Sequence, residues 1–101
     1  MSNILNTFPE KFRNDIAKAT EILKQYGCGD IYLFGSIAGG RFGEHADIDI
    51  AVRNLDDSKF FRVLAELNKE LLSSIDLIDL DDEQNRFVQF ILTQEELIQV
   101  A

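Results

Sequence analysis

The chain has a single cysteine, Cys28, among its 101 residues. No disulfide can form within it, and a reducing cytoplasm is the simplest setting. Cys28 stands between two glycines with no histidine or other base near it in sequence. That reads as a linker position rather than a nucleophile. Basic residues are scarce: 10 Lys and Arg face 18 Asp and Glu, for a net charge of −8 and a pI near 4.4. A nucleic acid backbone is bound through lysine and arginine, so a nucleic acid substrate is not expected. A basic protein partner suits the charge, as does a free nucleotide whose phosphates are offset by metal ions. No apolar run is long enough to cross a bilayer, and the N-terminus lacks the basic-then-apolar layout of a secretory signal. One histidine is present, His45, in a loop, where such a residue is normally solvated rather than a ligand. Internal repeats and low-complexity tracts are absent.

What is present is a globular composition. Hydrophobic residues make up 46% of the chain, with eight phenylalanines. That is enough for a modest core, and the length predicts one domain over residues 1–101 with no room for a second, substrate-holding one.

One stretch concentrates the chemistry: GSIAGGRFGEHADID, from Gly35 to Asp49. An apolar run, residues 31–34, leads into it and predicts a short central strand. Gly35 permits a tight exit from that strand, having no Cβ to clash. Ser36 opens a short helical turn whose free N–H groups attract an anion such as phosphate. Asp47 and Asp49 stand two apart at the start of a second strand, 48–52, so their side chains share a face, opposite Ile48 and Ile50. Paired carboxylates repel unless a cation lies between them, and hard divalent ions favour such oxygen ligands. A phosphate cradle beside a carboxylate pair points to metal-assisted phosphoryl or nucleotidyl transfer.

The remaining elements follow from periodicity. Thr7 to Glu10 has the form of a capping box with Thr7 as N-cap. It precedes a helix whose Phe12, Ile16, Ala19, Ile22, Leu23 and Tyr26 form one apolar face, ended by Gly27. Asp56 or Asp57 caps a second long helix with Phe60, Val63, Leu64, Leu67, Leu71 and Leu72 as its buried stripe. Ser73 and Ser74 break it. A third strand, 75–80, places Asp76 on one face and Asp79 on the other, so only one of them can join Asp47 and Asp49, and spacing does not choose between them. Asp81 and Asp82 start another helix, with Phe87, Phe90 and Ile91 inward. Thr93 to Glu96 reads as a second capping box, opening a last short helix with Leu97, Ile98 and Val100. The result is an α/β (α+β) fold: a small mixed β-sheet with helices mainly on one face and the carboxylates on the other.

The Gly35-Ser36…Asp47-x-Asp49 signature resembles the nucleotidyltransferase superfamily of DNA polymerase beta. The segment GSIAGG…ADIDIAV and the short length are most similar to its minimal nucleotidyltransferase (MNT) branch, often the antitoxin half of a HEPT–MNT toxin–antitoxin pair. That resemblance implies the nucleotidyltransferase fold and binding of ATP with Mg²⁺, two ions, at Asp47 and Asp49. It implies a third acid near the start of the strand after the second long helix, which selects Asp76. It also implies transfer of AMP from ATP to a tyrosine of a partner HEPT toxin, with release of pyrophosphate. Gly35 and Ser36 would hold the phosphates. Many relatives carry Gly-Ser-Arg-x-Arg-Gly here, whereas this chain has Ile37 and Gly39 at the arginine positions, and Arg41 is the candidate to compensate. A serine common before the first metal-binding aspartate is Ala46. An alternative of another class is a non-catalytic acidic module that neutralises a toxin by contact. Modification of a small molecule is disfavoured, since related enzymes of that kind carry an extra domain.

Overall fold

The computed structural model describes residues 4–43, 46–94 and 96–101. His45, and Glu95 of the second capping box, lie outside them. A short 3-10 turn, Ile4–Thr7, precedes the first helix, α1, Glu10–Gln25. The N-cap position falls at Pro9 and not at Thr7 as expected. Pro9 is the capping residue, and its carbonyl accepts from the Phe12 and Arg13 amides at 3.0 and 3.1 Å. A residue before proline is driven from helical dihedrals, so Phe8 cannot open the helix and the start moves past Pro9. Glu10 then falls in the first turn, where the helix dipole favours an acid. The predicted face holds: Phe12, Ile16, Ala19, Ile22 and Leu23 are buried, and Tyr26 is half-buried. Gly27, at φ 83°, ends the helix in the left-handed region.

Strand β1 is Ile31–Phe34, followed by a single turn of helix, α2, Gly35–Ala38. Strand β2 is Ile48–Val52. Asp56 caps the 3-10 turn Asp57–Lys59, which leads into helix α3, Phe60–Glu70. Strand β3 is Ile75–Asp79, helix α4 is Arg86–Gln94, and strand β4 is Ile98–Gln99. The sheet runs β3-β2-β1-β4. β1 is antiparallel to β2 and β4, while β2 and β3 are parallel, joined through α3. One face, with Ile31, Leu33, Ile48, Ile50, Val52, Ile75 and Leu77, packs on α1 and α3 as the main core. The other carries a smaller cluster, Phe34, Ala51, Leu80, Val88 and Ile91, which seats α4 beside the carboxylate positions.

The structure corrects the C-terminal half in four places. Leu72 is 83% exposed, because Leu71 leaves the helix with an extended backbone and the helical stripe stops there. The last long helix starts at Arg86, not at Asp81–Asp82, which sit in turns. Its inward residues are Val88 and Ile91, while Phe87 and Phe90 are 51% and 50% exposed. The predicted final helix is instead strand β4, paired to β1 through Tyr32–Gln99 and Leu33–Ile98. A helix of so few residues has little stability of its own, whereas the free edge of β1 offers ladder bonds. Ile98 and Val100 reach the main core, and Leu97 the smaller one, the period of a strand.

Candidate active site

The site is assembled where β1 ends beside β2. Phe34 is extended, Gly35 takes φ 69°, and α2 turns away from the sheet. Phe34 stands opposite Asp49 in the antiparallel register, so the Gly35-Ser36 turn is set against this carboxylate. A Cβ at Gly35 would collide with the Asp49 side chain. Glycine is therefore required twice, for its dihedral and for close approach. Ile37 is fully buried and pins α2 to the core. The Ser36 carbonyl accepts from the Arg41 amide at 2.9 Å, closing the loop that follows. Arg41 folds its guanidinium back over Gly39, with Nη1 3.1 Å from where a Cβ there would sit. Its guanidinium thus lies over position 39, where the resemblance leads one to expect an arginine.

The parallel register sets Asp49 beside Asp76 on neighbouring strands, with both side chains on the α4 face. Asp47 stands just before β2 and is exposed, as is Asp76, while Asp49 is half-buried. Asp79 is the acid that the strand turns away: it pairs with Val52, whose side chain belongs to the main core face. Partial burial raises the Asp79 carboxyl above its ordinary value, the Asp81 backbone N–H opposes this, and a hydrogen bond with Asp57 adds to the rise. A cavity of about 390 Å³ opens beside Gly35, Asp49 and Asp76, walled by Phe34, Ile78 and Phe87. Among the described residues, no three His, Cys, Asp or Glu side chains converge into a ready metal cluster. The donor set still suits Mg²⁺, which needs only one or two carboxylates and takes its other oxygens from water and substrate phosphate. The cavity beside Gly35, Asp49 and Asp76 leaves room for such a phosphate. Cys28 is buried and its thiol is raised by that burial, as suits a structural residue.

Two positioning residues escape a reading by periodicity. Asp15 is buried within α1, and its carboxylate accepts from the Leu72 and Ser73 amides at 3.1 and 2.9 Å. Asn68 Oδ1 accepts from the Ile75 amide at 3.2 Å. Together they fix the chain where it enters β3, and so fix Asp76. The only local signal is an acid next to Ile16 in an otherwise apolar stripe.

A glycine turn packed against one of two in-register carboxylates, on a mixed sheet backed by helices, defines a nucleotidyltransferase site. Residues 17–100 match the polymerase beta nucleotidyltransferase family, and the chain belongs to it. Within that family its likeness is to the MNT branch. A toxin–antitoxin structure with AMP-PNP is 31% identical, at a TM-score of 0.62 over 88% of this chain and 72% of that one. An MntA–HepT toxin–antitoxin complex carrying a tyrosine-to-alanine substitution is 32% identical, at 0.61 over 82% and 70%. The tri-AMPylated Shewanella oneidensis HEPN toxin in complex with MNT antitoxin is 29% identical, at 0.59 over 84% and 69%. No curated protein sequence gives a significant match. No helix among the described residues is long and apolar enough to cross a membrane.

Proposed function

We propose that residues 1–101 act as one domain that transfers AMP from ATP to a hydroxyl, a tyrosine, of a HEPT-type toxin in the cytoplasm, and so serves as its antitoxin. The observation that carries this reading is the pairing of Asp49 with Asp76 beside the Gly35 turn. The likeness to a toxin–antitoxin structure with AMP-PNP and to one with an AMPylated toxin supports the donor and the acceptor.

Backbone N–H groups of the Gly35-Ser36 turn and the Ser36 hydroxyl hold the terminal phosphates, and Arg41 adds a positive charge from the loop. Asp47, Asp49 and Asp76 would hold Mg²⁺. Bound there, Mg²⁺ supplies charge neutralisation of the triphosphate and a lowered pKa for the acceptor hydroxyl. Asp76, on the exposed outer strand, takes the hydroxyl proton as general base. The acceptor oxygen bonds to the α-phosphorus, the bond to the β-phosphate oxygen breaks, and pyrophosphate leaves. Positioning and charge placement carry most of the rate.

The test combines labelled ATP, Mg²⁺ and the toxin encoded beside this chain, with an Asp47→Asn/Asp49→Asn variant as control. Label on the toxin is expected from the native chain, and a loss of at least about 10²-fold from the variant. An unlabelled toxin in a stable complex would instead favour neutralisation by contact.

A further inference from the structure

Strand β3 is an outer strand of the sheet, and two cavities lie along it. One is the space beside Asp49 and Asp76. The other, about 890 Å³, is lined by Asp57, Asp79, Asp82 and Glu83, with Phe61, 79% exposed, at its rim. Leu77 and Ile78 line both, so the two cavities adjoin along the outer side of the strand.

The backbone of that edge is open in its middle. Ile48 N–H donates to the Ser74 carbonyl, and Leu80 N–H to the Val52 carbonyl, each at 2.9 Å. Even-numbered residues therefore turn their peptide groups to β2, and Ile75, Leu77 and Asp79 turn theirs outward. At one end the Ile75 N–H is taken by Asn68 Oδ1, and at the other the Asp79 carbonyl accepts from Asp82 N–H at 3.2 Å. Among the described residues nothing pairs with the Ile75 carbonyl, the Leu77 N–H and carbonyl, or the Asp79 N–H. Exposed edges are commonly blunted by bulges, proline or charge, and here the only such device is acidic. Like charges facing each other across strands are destabilising, so this edge favours a basic strand over an acidic one. A second copy of the chain, itself at −8, would bring like charges face to face across this edge.

We propose that the acceptor polypeptide docks as an added antiparallel strand on the β3 edge, with a basic side chain beside Asp79 and Asp57 and its acceptor hydroxyl beside Asp76. This rests on the transfer reading above and adds how the acceptor is chosen. In that register the residue facing Asp79 lies three before the residue facing Asp76, because an antiparallel strand counts in the opposite sense. The preferred acceptor therefore has Lys or Arg three residues before its tyrosine. Main-chain bonds supply affinity, and the acidic pocket supplies selection.

Docking can be read apart from chemistry. Backbone hydrogen exchange is followed on the full chain and on its Asp47→Asn/Asp49→Asn variant. The probe is a short peptide with Lys three residues before Tyr, compared with the same peptide carrying Glu for Lys. At peptide concentrations about tenfold above Kd, the Leu77 and Asp79 amides are expected to exchange about tenfold more slowly with the Lys peptide, in both proteins. The Glu peptide is expected to leave them unchanged. The exposed Asp82→Lys/Glu83→Lys variant, which disturbs no buried contact, should weaken the preference. Equal protection by both peptides, no protection by either at millimolar concentration, or protection of Leu77 by self-association alone would overturn the proposal. Absence of AMP transfer with protection intact would count against the transfer reading and leave the docking mode standing.

Discussion

At the scale of single residues, Gly35 and Asp79 carry the sharpest expectations. Gly35 holds a left-handed dihedral and lies against the Asp49 carboxylate. Gly35→Ala meets both obstacles, so a loss of about 1–3 kcal/mol in stability is expected from the dihedral alone. ATP affinity should fall with it, and chemical denaturation together with nucleotide titration would separate the two effects. Asp79 behaves differently, because its carboxyl is raised by burial and by Asp57 against the pull of the Asp81 amide. A raised acid binds its proton more tightly folded than unfolded. Its stabilisation is full below the ordinary aspartate value and is lost as the pH climbs through the raised value. Asp79→Asn keeps an acceptor for the Asp81 amide, which bonds Asp79 Oδ1 at 2.9 Å, and removes the partly buried charge. The variant should melt higher than the native chain at pH 7, with the gap closing in acid. A gap that widened toward low pH would show that the carboxylate is stabilising there.

At the scale of elements, the tie between α1 and the entry to β3 decides how firmly Asp76 is held. Asp15 accepts two backbone amides from the other end of the core, 57 and 58 residues away in the chain. Hydrogen bonds to a charged group contribute about 1.5–3 kcal/mol each when one partner is removed. Asp15→Ala should therefore lower stability by at least that much and slow AMP transfer, because the strand carrying Asp76 loosens while the Gly35 turn is untouched. A fall in kcat with little change in ATP binding is the expected pattern, and unaltered kcat would show that Asn68 alone sets the strand. The elements were legible to different degrees. β1, β2 and the apolar face of α1 follow from runs and spacing, because each buries its own pattern against one core. The end of the chain does not. Leu97, Ile98 and Val100 fit a helix as readily as a strand, and only the vacant edge of β1 selects the strand. Phe87 and Phe90 point outward for a related reason: the small cluster on that face has room for Val88 and Ile91.

At the scale of the whole molecule, charge is the dominant feature. A net charge of −8 favours encounter with a basic protein and screens with salt. Association with the toxin is expected to slow steeply between low and physiological ionic strength, with a weaker effect on dissociation, which stopped-flow mixing would resolve. A salt-independent association rate would place recognition in apolar contacts such as Phe61. Among the described residues Arg53 and Asp81 form a salt bridge at 3.2 Å, with both side chains partly exposed.

By itself the sequence determined the local chemistry: a glycine that must turn, a serine after it, and a strand that carries Asp49 on the side away from Ile48 and Ile50. Those are consequences of backbone geometry and the two-residue period, which need no distant partner. Only the tertiary structure decided between Asp76 and Asp79 as neighbour of Asp49, because that choice depends on how β3 registers against β2. It also decided that Arg41 lies over Gly39, that Asp15 holds the entry to β3, and that the middle of the β3 edge stays open. Each of these joins residues distant in sequence or turned by a loop, and such pairings are set by packing against a common core.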